Sequence, residues 1–226
     1  MNKWEYLVPL VVVLLFSMML HEIAHGYVAY KLGDPTAKSR GRLTLNPLRH
    51  LDPLGTAMFV ITYLSGAFIF GWAKPVPISP YYFKNRKRGM QLVGAAGPLT
   101  NFVIAAVFWA ILTLSASSLT PALASGTGGV RVAIAIILFL AFEVNVVLGV
   151  FNLIPIPPLD GSRILGGFLP RRYYDVWLSI DRYGMIIVVV LLVLLATGGG
   201  GSRNLLGRAY AALFHALLPQ YAGYFF

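Results

Sequence analysis

Cysteine is absent from the 226 residues, which excludes disulfide bridges, thiolate metal ligands and cysteine nucleophiles. Charge is scarce as well: charged residues make up 12% of the chain, against about a quarter in an average soluble domain. Only 8 residues are acidic, so every carboxylate can be weighed singly as a functional group. What fills the chain instead is apolar. Hydrophobic residues reach 58% and the mean hydropathy is +0.73, more apolar surface than a soluble globule of this size can hide. Several long apolar runs imply an all-α polytopic membrane protein, and the shared medium implies one membrane-embedded domain over residues 1–226.

The net charge of +10 comes from 18 Lys and Arg, placed in loops between the apolar runs. That is the pattern of a chain oriented by positive charge on its cytoplasmic side. No nucleic-acid-binding motif accompanies the charge, so nucleic acid is not an expected partner. Lys3 and the apolar run from Leu7 to Leu20 look like a signal peptide, but no small-residue cleavage site follows. His21 and Glu22 interrupt the run, and the segment reads as a retained membrane helix.

The first helix is predicted from about Tyr6 to Lys31, stopped by Gly33-Asp34-Pro35. A polar loop to Asp52 follows, then an apolar stretch from Leu54 to Trp72, then a Pro-rich loop ending in Lys84-Asn85-Arg86-Lys87-Arg88. That basic run reads as a topogenic loop that also meets anionic lipid. A second helix is predicted over about Met90–Ser115, an uncharged linker over 116–130, and a third helix over Arg131 to about Leu153. Pro155, Pro157 and Pro158 end the third helix, and a loop runs on to Tyr183. A fourth apolar run covers 184–197 and Gly198–Gly201 form a flexible break. The tail over 203–226 is apolar but short, which suits an interfacial position.

Charge decides the topology of residues 54–72. If they crossed the membrane, the two flanking loops, with five basic residues each, would lie on opposite sides. If they dip in and return, both basic loops share one side and the uncharged 116–130 linker takes the other. Only the second arrangement satisfies the positive-inside rule throughout. The segment is therefore expected to be re-entrant, and backbone at that depth requires cover from protein or a wet cavity.

Within the first helix the sequence reads His21-Glu22-Ile23-Ala24-His25. Residues four apart share a helix face, so both imidazoles can reach one metal ion, and Glu22 projects beside them as a proton acceptor. Starting from Tyr6, His21 lies roughly 20 Å along the helix axis, at membrane depth or near its edge. Ionisable groups there cost several kcal/mol unless they meet a partner or water, so they mark a functional site.

Two His ligands leave a catalytic zinc site short of one protein ligand. Glu5, Asp34, Asp52, Asp175 and Asp181 read as loop or helix-end charges. Glu143 lies in mid-helix, where an intramembrane acid is either a hydrogen-bonding group or part of a water network. Asp160 follows a proline-stiffened segment and precedes Gly161, which permits a sharp turn, so it has a rigid mount. His50 is a rival ligand but sits in a basic loop beside Arg49 and reads as an interfacial histidine. Asn145 shares a helix face with Asn152, and Gly97 and Asn101 suit close packing and a polar contact between helices.

His21–His25, Gly97-Pro98-Leu99-Thr100-Asn101 and Asn152…Pro158-Leu159-Asp160-Gly161 together resemble, in order, the three signatures of the site-2 protease family of intramembrane zinc metalloproteases. Ala73-Lys74-Pro75-Val76-Pro77 is similar to the family's membrane-associated loop. The resemblance implies a three-helix catalytic core over about residues 5–165. It also implies one Zn2+ per chain held by His21, His25 and Asp160, Glu22 as catalytic base, and Asn152 near the scissile bond. It implies cleavage of transmembrane or membrane-embedded segments of membrane proteins, by a multi-pass protein of the inner membrane with its active site toward the cytoplasm. The chain reads as a minimal version without a PDZ-like insertion. Two rival functions are a catalytically silent relative that only binds membrane proteins, for which Glu22 would be superfluous, and a metal transporter. A transporter is expected to show paired sites and internal repeats, and the sequence has neither.

Overall fold

The computed structural model describes residues 3–65, 70–125, 129–184, 186–190 and 212–225. In chain order the main helices are α1 (Lys3–Lys31), α2 (Thr36–Ser39), α3 (Pro53–Ser65), α4 (Arg86–Ser125), α5 (Val130–Asn152), α6 (Asp160–Phe168) and α7 (Arg171–Ser179). The β-type pairing among the described residues is an isolated antiparallel bridge between Leu51 and Ala73. Helices α1, α4 and α5 are long and apolar enough to cross a membrane, so the chain is an all-α polytopic membrane protein.

Helix α4 is the central member and packs against α1, α5 and α6. It runs antiparallel to both other spans, so α1 and α5 run side by side in the same direction. Leu10 and Val13 of α1 meet Ile136, Leu140 and Val144 of α5 in one buried cluster. Ala29, Val93 and Phe83 form another where α1 ends and α4 begins.

Helix α3 has 13 residues, about 20 Å of rise, too short for a hydrocarbon core about 30 Å thick. The chain returns alongside it. Thr62 Oγ1 donates to the Phe70 carbonyl at 3.0 Å, and Gly55 lies so close to Trp72 that an added Cβ would sit 2.1 Å from its carbonyl oxygen. The Leu51–Ala73 bridge and the Lys74 N–H to His50 O bond of 2.8 Å then close the hairpin at its base. Residues 51 and 73 thus share one end, as the charge distribution requires of a re-entrant segment; its tip, residues 66–69, lies outside the described residues.

Two stretches differ from the sequence expectation. The uncharged linker is helical as far as Ser125, because its Ala and Leu favour helix and Leu119 and Ala122 are buried. The stretch from Asp160 to Tyr183, read as loop, holds α6, α7 and a 3-10 turn. The first two are short amphipathic helices, α6 packed on α4 and α7 on α6, and their brevity and charge masked the periodicity.

Of the fourth apolar run, Gly184 rests on the backbone of Pro157 and Pro158 and Val188 is buried. Residues 191–197, the Gly198–Gly201 break and tail residues 203–211 lie outside the described residues. The described tail buries Phe214, Leu218 and Tyr221 completely against α4 and α5. The Tyr221 hydroxyl donates to the Leu112 carbonyl at 3.0 Å, and Trp109 Nε1 donates to that of Leu217 at 2.8 Å.

The hairpin topology predicts the outcome of membrane-impermeant thiol labelling, for which a cysteine-free chain is a clean background. Ser39→Cys and Lys84→Cys will label from one side of sealed vesicles and Ser118→Cys from the other. Labelling of the first two from opposite sides would refute the re-entrant hairpin.

Candidate metal centre

The i, i+4 spacing on α1 places the His21 and His25 rings edge to face, with their Nε2 atoms 3.0 Å apart. Asp160, the first residue of α6, brings its Oδ2 to 3.1 Å from His21 Nε2 and 3.2 Å from His25 Nε2. All three side chains are buried, and Oδ2 has no hydrogen-bond donor among the described residues. The remaining oxygen, Oδ1, faces Arg163 Nη1 at 3.6 Å.

What this trio needs follows from the atoms behind it. His25 Nδ1 donates to the Val93 carbonyl at 2.7 Å, which can only accept. His21 Nδ1 donates to Asn101 Oδ1 at 2.6 Å. The orientation of that amide is fixed by a chain of bonds. Asn145 Nδ2 donates to the Ala141 carbonyl at 2.7 Å and to Ser17 Oγ at 2.8 Å, so Asn145 Oδ1 is the acceptor for Asn101 Nδ2 at 2.8 Å. With both protons held on Nδ1, the two Nε2 lone pairs and a carboxylate oxygen point at one another. Burial works against the charge on Asp160. Three acceptors this close are stable only around a positive charge.

A zinc ion fits. Tetrahedral zinc with N and O ligands at about 2.0–2.1 Å separates neighbouring ligand atoms by about 3.3 Å, and the three edges here are 3.0, 3.1 and 3.2 Å. Two imidazoles and one carboxylate are also a donor set that zinc accepts while leaving a position open. Among the described residues this is the group of His and carboxylates placed to hold a metal.

Glycines make the approach possible. A Cβ on Gly97 would lie 2.5 Å from His21 Cε1 and from His25 Nε2, so the imidazoles rest directly on the α4 backbone. Gly94, one turn earlier, gives the same clearance to the Asp160 carbonyl and the Arg163 Cβ. Gly161 was expected to permit a sharp turn after Asp160. It instead lies inside α6, where a Cβ would meet the Leu153 carbonyl oxygen at 2.2 Å; close approach, not turn geometry, demands glycine there.

Glu22 lies next to the trio but is engaged with a strap formed by residues 73–79. Its Oε2 accepts the Val76 N–H at 2.7 Å. Arg42 donates to the carbonyls of Lys74, at 2.6 Å, and Arg49, at 2.7 Å, and Asp34 Oδ2 accepts the Ser79 N–H at 2.6 Å. Asp34, read from sequence as a loop charge, is thus a fully buried anchor. Asp52 does sit at a helix end, where its Oδ1 accepts the Gly55 N–H.

Asn152, at the end of α5, donates from Nδ2 to the Leu148 carbonyl at 2.9 Å, back along its own helix. His50 is buried in the loop, with Nε2 3.0 Å from the Thr44 carbonyl, and does not belong to the trio. Glu143 is half-buried on α5 and also stands outside it. The side chains of Glu5, Asp175 and Asp181 lie outside the described residues. Sequence reading missed Ser17 as the end of the hydrogen-bond chain; the available signal was a hydroxyl one turn before His21 in an otherwise apolar run.

Comparison with known proteins agrees with this chemistry. The model of peptidase family M50 matches residues 9–195. The Bacillus subtilis (strain 168) protein named "Putative zinc metalloprotease YwhC" is 39% identical over 178 residues, covering 79% of this chain and 77% of that protein. "Putative zinc metalloprotease Rip2" of Mycolicibacterium smegmatis is 35% identical over 67% of this chain and 53% of its own length. "Zinc metalloprotease MJ0392" of Methanocaldococcus jannaschii is 30% identical over 76% of this chain and 38% of its own. The chain thus spans about half of the second and less than half of the third. No solved structure matches.

The support behind His21 predicts that Asn145→Leu weakens zinc affinity about 10–100-fold, the range for losing an outer partner of a ligand. Chelator competition measures this, with helicity by circular dichroism as the fold control. Gly97→Ala is expected to abolish stoichiometric zinc, because its methyl group takes the space of both imidazoles. Unchanged affinity in both variants would sink this account of the site.

Proposed function

This chain belongs to peptidase family M50, the site-2 protease family, and from that premise we propose that it hydrolyses peptide bonds in or near transmembrane segments of other membrane proteins. The observation that carries the reading is the convergence of Asp160 on His21 and His25, which stand on a helix apolar enough to span a membrane, beside a further carboxylate, Glu22. His21, His25 and Asp160 would hold the zinc ion. Bound there, zinc supplies Lewis acidity, which makes water acidic enough to lose a proton near neutral pH.

The chain's own residues supply the rest. Glu22 accepts the proton of the attacking water and returns it to the leaving amine. Its bond from the Val76 N–H ties up one carboxylate oxygen and fixes its plane, leaving the other for the proton. Asn152 polarises the substrate carbonyl. A helical substrate has its carbonyls engaged, so it must unwind locally before attack. The strap is already extended and pinned by Arg42, Glu22 and Asp34, and it offers a backbone edge for the unwound segment. The basic loops at this end of the bundle support a cytoplasmic orientation in a cell membrane.

The test is cleavage of a candidate membrane-protein substrate by purified protein in parallel with metal analysis. Glu22→Gln is expected to lower cleavage by about 10²–10⁴-fold while retaining zinc. Asp160→Ala is expected to lose both. Cleavage at the unmodified rate by Glu22→Gln would overturn the proteolytic reading.

A further inference from the structure

A cavity of about 440 Å³ opens between the α2–α3 connection and the strap. Four cations, Arg40, Arg42, Arg49 and Lys74, line it together with Leu48 and Leu51, and no carboxylate does. None of the four has a carboxylate partner among the described residues. The acids nearest in sequence are committed elsewhere, Asp34 to Thr36 and Ser79 and Asp52 to Gly55. Arg42 is buried, and its guanidinium is locked by two backbone carbonyls, so part of this positive wall is rigid before any ligand arrives. Convergent like charges with no internal compensation favour an anion.

The surroundings say which anion. Leu45, Leu48 and Leu54 are 69%, 73% and 72% exposed beside the cavity, and α3, which starts at its edge, exposes Val60, Ile61 and Leu64 along its length. A re-entrant helix with that surface is immersed in lipid, so the cavity at its root stands at headgroup level. Leucines directed at acyl chains around a basic hollow suit a lipid phosphate. An acidic peptide from the aqueous side would leave that rim in water. We propose that this cavity binds the headgroup phosphate of an anionic phospholipid. Its walls include Lys74 and Pro75, adjoining the Val76 whose N–H meets Glu22, so the bound lipid buttresses the strap.

Binding is measured on the purified full-length chain by native mass spectrometry, with phosphatidylglycerol against phosphatidylcholine. In the triple variant Arg40→Glu, Arg49→Glu, Lys74→Glu, phosphatidylglycerol binding is expected to weaken at least about tenfold. The equally charged control Lys84→Glu, Arg86→Glu, Arg88→Glu is expected to lose less than about twofold. The three substituted cavity residues are exposed, and the corresponding Gln variants, expected to lose an intermediate amount, keep the test valid if charge reversal disturbs the fold. Equal losses in the two triple variants would show diffuse attraction and overturn the site. So would full displacement of the lipid by millimolar inorganic phosphate or by a soluble acidic peptide. Zinc content and proteolysis are separate readouts, so failure here leaves the catalytic reading intact.

Discussion

Two imidazole lone pairs and a carboxylate oxygen are forced together within about 3 Å in the apolar interior of a helix bundle, and the rest of the structure follows from holding them there. Left to themselves these groups would separate or rotate to find donors, since a buried polar atom without a partner costs about 1–3 kcal/mol. Rotation is blocked from behind. His25 is tied to Val93 of α4, and His21 is tied through Asn101 of α4 and Asn145 of α5 to Ser17, one turn up its own helix. All three spanning helices therefore contribute to the direction of a single nitrogen lone pair. The network is fully satisfied at every link except where it points at the trio, which is what distinguishes a ligand site from ordinary polar glue between helices.

Separation is blocked by close packing. Gly94 and Gly97 let α4 take α6 on one side and the imidazoles on the other with no intervening side chain. Gly161 lets the start of α6 press onto the Leu153 and Ile154 carbonyls at the end of α5. That contact sets where Asp160 stands relative to α1, although 134 residues lie between it and His25. A side chain at any of these glycines would push a ligand away by more than the tolerance of a metal–ligand distance.

The parts of this arrangement legible in the sequence are those governed by local rules. The His-x-x-x-His spacing puts two imidazoles on one helix face because helix periodicity is short-ranged, and Asp160 stood out among 8 acids by its stiff surroundings and family signature. The return of residues 54–72 was legible through an equally simple rule, the side on which basic loops must lie. The illegible parts depend on meetings between distant segments. Asp34 and Arg42 read as solvated loop charges, and only the return of the strap, more than 30 residues later, buries them as its anchors. The role of Gly161 was misread for the same reason: its neighbour is the end of another helix. Helices α6 and α7 were hidden because nine residues carry little periodic signal, and their helicity comes from packing, α6 on α4 and α7 on α6.

The proposed hydrolysis needs water at the site, and the length of α1 narrows how it arrives. His25 is six residues from the end of the helix at Lys31, about 9 Å of rise, whereas the apolar turns before His21 extend roughly 20 Å the other way. The site is therefore shallow on one side and sealed on the other. On the shallow side the cover is not a further spanning helix but the strap and the hairpin base, whose exposed Lys74 and Pro75 and engaged backbone groups form a polar surface. The deep side is closed by Leu10, Val13, Leu140 and Val144. The proposed hydrolysis would draw its water over those two helical turns, along backbone already tied to Glu22, rather than through the bundle.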